Sequence, residues 1–192
     1  LDRTRKNPAL IFTYGSWDME AQLGWDFGPK NLLFNYLTQR GFVILIVDPR
    51  GSEGYGDAYS KGQYREGGRL QSDDLVAGAS FLAGLGWVDK QKIGLFGYSY
   101  GGYLVLQTMT RSPGIFAAGV SMAPVTEWSA YACGSPYANV RFGTPDMVPN
   151  PLLEASPIYS ANRLEGNLLI FHGTKDFNVP IFFSEMYITT LM

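Results

Sequence analysis

The chain has 192 residues, 46% of them hydrophobic, and a formal net charge of −2, enough apolar material for one sizeable core in a single domain spanning 1–192. Lysine and arginine number 15 against 17 acids and lie scattered, which excludes the basic stripe that nucleic acid requires, while one cysteine, Cys133, and one histidine, His172, exclude a disulfide framework and a Cys- or His-rich metal site. No apolar run is long enough to span a bilayer, and the opening "LDRTRKNPAL" lacks the apolar stretch of a signal peptide, so the compartment stays open.

In chain order, the pattern predicts a strand over 10–14, a helix over 31–39, a strand over 42–47, a helix over 73–85, a strand over 93–96, a helix over 102–111, and strands over 117–121 and 168–171. The last stretch, "FFSEMYITTLM", reads as a helix. This alternation implies an α/β fold built on a mostly parallel sheet with helices on both faces. "FVILIV" is apolar at consecutive positions, as expected of a strand covered on both faces. The rhythm breaks over 123–166, where Pro124, Pro136, Pro145, Pro149, Pro151 and Pro157 fall among Trp128, Tyr131, Tyr137 and Phe142. That insertion leaves the sheet at the carboxyl ends of its strands and is expected to form a binding pocket or, more plainly, a satellite core.

Within "IGLFGYSYGGYLVLQTM", Gly97, Ser99 and Gly101 form G-x-S-x-G between a strand-like and a helix-like run. Small neighbours allow a turn sharp enough to project a serine hydroxyl, and the following helix N-terminus offers unpaired N–H groups for a developing oxyanion. Gly102 allows close packing of that helix. A tight turn that merely contains serine is the plain alternative. "GSEGYG" is not a phosphate loop, because its glycine spacing is wrong and no Lys-Ser/Thr follows, and nothing in the sequence calls for a cofactor. Asp48 and Arg50 in "DPRG" read as structural, the arginine as a ligand of loop carbonyls or a carboxylate.

"DPRGSEGYGDAY", "FGYSYGGY" and "FHGTKDFNVP", in that order, resemble the hydrolase domain of the prolyl oligopeptidase family of serine peptidases, and "MAPVTEW" and "YANVRFGTP" are similar to the pocket segment of its dipeptidyl-peptidase branch. The resemblance covers nearly the whole chain and implies an α/β-hydrolase fold acting on peptide substrates. It implies Ser99 as nucleophile and Asp176 as the acid that orients a catalytic histidine. Tyr14 matches the tyrosine whose hydroxyl completes the oxyanion hole with the N–H of Tyr100, although Gly15-Ser16-Trp17 departs from the glycine and proline usual after it. Val125, Trp128, Tyr131, Tyr137 and Val179 would line the pocket for the residue before the cleaved bond, often proline, and Asn178 would bind a substrate carbonyl. The interval from Trp128 to Tyr137 is longer than the family's. Asp176 also suits a plain turn cap, and Tyr14 a core position.

A serine needs a base, and triads of this fold run serine, acid, histidine. His172 precedes Asp176 and ends a strand, so it reads as structural; the base is expected beyond Met192, and an N-terminal propeller is expected before the chain, with both ends cut. A rival triad would join Ser99 and His172 to Asp146 or Glu154. An esterase on the same fold and a non-catalytic binding module are the competing functions, since fold alone does not separate them. Oligomerisation is left open.

Overall fold

The apolar runs of the sequence become strands and helices. A computed structural model describes residues 2–16, 19–23 and 29–192; Trp17 lies outside the described residues. The elements are β1 (Asn7–Thr13), a 3-10 turn (Glu20–Leu23), α1 (Pro29–Gln39), β2 (Val43–Ile46), α2 (Asp57–Ser60), α3 (Arg69–Gly84), β3 (Val88–Tyr98) and α4 (Tyr100–Arg111). They continue with β4 (Ala118–Met122), α5 (Trp128–Gly134), α6 (Tyr137–Phe142), α7 (Pro151–Ala155), a 3-10 helix (Pro157–Arg163), β5 (Asn167–Phe171) and α8 (Phe182–Leu191).

The sheet order is β2-β1-β3-β4-β5, and every neighbouring pair is parallel. All five carboxyl ends therefore share one edge, and the loops that follow Thr13, Ile46, Tyr98, Met122 and Phe171 converge there. This edge is where a parallel α/β sheet builds its sites.

One face of the sheet is covered by α3 and α4. Leu75, Ala79 and Leu82 of α3 and Leu104, Val105 and Met109 of α4 pack with Ile11, Ile93 and Leu95. Every residue of α4 from Tyr100 to Thr110 is buried, as befits a helix apolar nearly all round. Further along the same face, Leu106, Ala161 and Tyr187 of α8 pack over Leu168 and Ile170 of β5. On the opposite face, α1 sets Phe34 against Phe12, with Ile44, Ile46, Phe96 and Tyr98 around them; the Phe12 and Phe34 rings meet edge-on at 5.2 Å.

Helices thus lie on both faces, but two expectations need correction. β2 is not covered on both faces: it lies at one end of the strand order among the described residues, and all of Val43–Ile46 is half-buried. A run of consecutive apolar residues suits a half-covered edge as well as a covered centre, so the pattern cannot rank strand positions. The face beyond α1 is also open, with Leu169 and Phe171 each 50% exposed. Boundaries moved as well. α3 starts at Arg69, four residues before the apolar pattern announces it, because Gly67 and Gly68 take left-handed φ values of 52° and 74° and turn the chain directly into the helix. The segment 123–166 is not an irregular loop but three short α-helices and a 3-10 helix. Glu127 caps α5 by accepting the N–H groups of Ser129 and Ala130, and Asn150 caps α7 through the N–H of Leu152.

Asp48 and Arg50 do the structural work their positions suggested. The Asp48 carboxylate accepts the N–H groups of Glu20 (3.0 Å) and Ala21 (2.9 Å) and the Tyr55 hydroxyl. Arg50 grips Asp74 through Nη2 (2.7 Å) and Nε (3.0 Å), and reaches the Leu70 carbonyl.

Candidate active site

Ser99 occupies the tip of the turn between β3 and α4, at φ 54° and ψ −117°, a backbone conformation that L residues rarely adopt. Two sets of forces hold it there. The Ser99 N–H donates to the Met122 carbonyl at 2.7 Å, which ties the turn to the end of β4. The flanking glycines permit backbone contacts that no side chain could share: a Cβ on Gly97 would stand 2.3 Å from the Gly101 carbonyl oxygen, and one on Gly101 would stand 2.2 Å from the Thr13 carbonyl oxygen. Gly102 meets the Met122 carbonyl in the same way. The motif is thus a packing solution that presses the elbow against the ends of β1 and β4. Because Tyr100 is the first residue of α4, its N–H has no partner inside the helix and is free to face an anion.

Beside Ser99 lies a cavity of about 190 Å³, lined by Tyr14, Ser99, Tyr100, Val125, Trp128, Tyr131, Ser135, Tyr137, Asn178 and Val179. All nine expected nucleophile, oxyanion and pocket residues other than Asp176 line this one cavity. Ligand sites for drug-sized molecules run from roughly 300 to 1,000 Å³, so this one has room for a single small side chain. No charged side chain lines it among the described residues. Its walls are rigid rings in mutual contact: Trp128 meets Tyr131 edge-on at 5.5 Å and lies 6.1 Å from Tyr137, while Tyr100 lies 5.7 Å from Trp128 and 6.2 Å from Tyr137. Such rings lose little entropy when they are held in place, and they present flat apolar faces.

Tyr14 follows the last residue of β1 and is nearly buried, its ring 4.8 Å from that of Tyr98. Burial pushes the phenols of Tyr100 and Tyr137 well above their ordinary range, so both remain neutral hydroxyls. Two serines escaped the sequence reading. Ser135 lines the cavity, and Ser16, inside the departure Gly15-Ser16-Trp17, is fully buried and shares a hydrogen bond with the Tyr137 hydroxyl. Nothing in the local sequence signals that bond, because 121 positions separate the partners.

Asp176 lies on the loop after β5. Its Oδ1 accepts the N–H groups of Asn178 (3.0 Å) and Val179 (2.9 Å), so it does cap a turn, and that turn carries Asn178 and Val179 to the cavity wall. The carboxylate itself is not part of that wall. Because this loop leaves the carboxyl end of β5, Asp176 lies at the same edge of the sheet as Ser99; burial, and secondarily the negative charge of Asp176, raise the pKa of Tyr131. His172 directly follows β5, and its side chain is 3% exposed. Its Nε2 lies 2.7 Å from the Val179 carbonyl and its Nδ1 2.7 Å from the Ser184 hydroxyl. A carbonyl can only accept, so Nε2 donates to it, while Nδ1 pairs with the Ser184 hydroxyl. The ring is spent on bracing the loop against α8. Nε2 stands 3.9 Å from Asp176 Oδ2, too far for a hydrogen bond. Asp146 and Glu154, the two acids offered for the rival triad, are both exposed on the insertion.

Among known families, the model described as "Prolyl oligopeptidase family" matches residues 29–192. The chain belongs to the prolyl oligopeptidase family. The crystal structure of Porphyromonas gingivalis dipeptidyl peptidase 4 superposes with a TM-score of 0.88 at 32% identity, covering 100% of this chain and 26% of that one. Dipeptidyl aminopeptidase B of Saccharomyces cerevisiae is 35% identical over 179 residues, 90% of this chain and 21% of its own length. Human dipeptidyl peptidase 8 is 29% identical over 192 residues, 98% of this chain and 21% of its own. This prolyl oligopeptidase domain therefore spans about a fifth of the curated relatives it matches.

Proposed function

We propose that this domain carries the nucleophile and the specificity pocket of a serine peptidase that cleaves after proline or a small residue. The observation that carries the reading is the placement of a strained elbow serine at the mouth of a small, uncharged, aromatic-walled cavity. A proline ring is compact, apolar and rigid, and it needs flat walls and no ion-pair partner. Names of similar proteins, dipeptidyl peptidases among them, support a peptide substrate.

In this reading, a substrate's proline enters between Trp128, Tyr131 and Tyr137, and Asn178 binds a carbonyl on the acyl side. Ser99 Oγ attacks the scissile carbonyl carbon while its proton passes to a histidine. The resulting oxyanion is held by the Tyr100 N–H and the Tyr14 hydroxyl. The histidine then protonates the leaving amine as the C–N bond breaks, and water hydrolyses the acyl-enzyme. Asp176 Oδ2 would orient that histidine while Oδ1 keeps the turn. In this reading the base is a histidine other than His172, whose two ring nitrogens are both bonded, and the 192 residues without that base are expected to turn over negligibly.

The test is hydrolysis of a glycyl-prolyl chromogenic anilide by the full-length polypeptide that contains this domain. Turnover that Ser99→Ala abolishes supports the assignment. Turnover that survives Ser99→Ala, or hydrolysis of simple esters but of no prolyl amide, contradicts it.

A further inference from the structure

Outside the cavity wall, a buried polar side chain bonds to the backbone next to Tyr14 and to the ring of Tyr100, the two residues of the proposed oxyanion hole. Gln71, in the first turn of α3, is fully buried. Its Nε2 donates to the Gly15 carbonyl at 2.9 Å, one peptide away from Tyr14, and its Oε1 lies 2.8 Å from the Tyr100 hydroxyl. Gln63 Oε1 lies 2.8 Å from the same hydroxyl. A phenol has one proton to give, so it serves one amide oxygen at a time; Gln71 is the amide whose other end is also anchored in the site.

We propose that Gln71 is a positioning residue that fixes the distance between the Tyr14 hydroxyl and the Tyr100 N–H. This inference rests on the serine-peptidase reading above. The physical need is clear: oxyanion donors act at 2.7–3.1 Å from the developing charge, and site geometry must hold to about 0.5 Å. Tyr14 and Tyr100 lie on different elements, 86 positions apart, and a single rigid amide spans from one to the other. Gln71 touches no substrate. It reaches the reaction only through the backbone of Gly15 and the ring of Tyr100, which also meets Tyr103 edge-on and stacks on Phe142.

The experiment uses the full-length polypeptide and two variants, with rates expressed per active site titrated by a prolyl phosphonate that labels serine. Gln71→Met keeps the volume and removes both hydrogen bonds. It is expected to lower kcat per titrated site by about 10–100-fold, part of the 10²–10³ that losing a whole oxyanion donor costs, with KM within about twofold. Gln71→Glu supplies a rescue readout and remains decisive if Gln71→Met does not fold. A protonated carboxyl can accept from Tyr100 and donate to Gly15, whereas a carboxylate cannot donate, so the ratio of its kcat to that of the unsubstituted protein is expected to climb about tenfold as pH falls. A merely structural role predicts fewer titratable sites with kcat per site unchanged and a ratio flat with pH, and that result overturns the proposal. Failure of the phosphonate to label Ser99 in the unsubstituted protein overturns the reading of the site together with Gln71's role; normal labelling with unchanged kcat in both variants overturns the role of Gln71 alone.

Discussion

Ser99 is kept in its strained conformation by bonds and contacts from three strands, and strain of this kind costs on the order of 1–3 kcal/mol. It persists because the surrounding backbone leaves no alternative. Two substitutions separate the roles assigned around it. Tyr14→Phe removes only a hydroxyl and is expected to lower kcat of the full-length polypeptide by about 10²–10³ with little change in KM, because an oxyanion donor acts in the transition state; an effect confined to KM would return Tyr14 to the core. His172→Ala releases the Val179 carbonyl and Ser184, loosening the loop that carries Asn178. It is expected to raise KM several-fold while Ser99 still reacts with a phosphonate, whereas a catalytic His172 would lose that reaction. At this scale, the serine turn and the aromatics that line the cavity were legible because their identities travel in short motifs. Ser16, Ser135 and Gln71 were not, since their meaning lies in partners remote along the chain, such as Tyr137 for Ser16 and Gly15 for Gln71.

Between β3 and α4, the glycines of the elbow matter for what they let approach. Gly101→Ala would drive a methyl to 2.2 Å from the Thr13 carbonyl oxygen, and backbone cannot yield as a flexible side chain does. Overpacking typically costs 1–3 kcal/mol, so a drop of about that size in unfolding free energy is expected from urea titration, together with loss of Ser99 reactivity as β1 and α4 separate. Unchanged stability would show that the elbow tolerates relaxation. Helices and strands were legible in order and type because buried elements keep their apolar period. Their ends were less so. α3 begins at a pair of left-handed glycines that the apolar pattern does not register, and β3 starts at Val88, well before its apolar run, because "VDKQK" is polar at the sheet's amino edge.

Among the described residues, the sheet is well covered by α3, α4 and α8 on one face but by α1 alone on the other. Beyond α1, Met122, Leu169 and Phe171, with Leu33 of α1 beside them, leave an apolar surface in contact with solvent. Parallel sheets are ordinarily covered on both faces, and an apolar patch of this kind favours association. The 192-residue chain on its own is expected to self-associate and to enhance the fluorescence of an apolar dye, and Leu169→Thr with Phe171→Ser is expected to reduce both. Light scattering coupled to size exclusion checks this, and a dispersed monomer without dye binding would contradict it. The parallel α/β architecture was readable from alternation alone; the uneven coverage was not, because strand order is a long-range property that no local pattern encodes.

The most direct test of the account is covalent: treat the full-length polypeptide with an alanyl-prolyl diphenyl phosphonate, digest it, and locate the adduct by mass spectrometry. A strained, base-activated serine at the mouth of a proline-sized cavity predicts a single adduct on Ser99, formed faster than with an aspartyl analogue that would carry charge into a neutral pocket, and absent in Ser99→Ala. An adduct on another residue, or equal labelling by the aspartyl analogue, would contradict it.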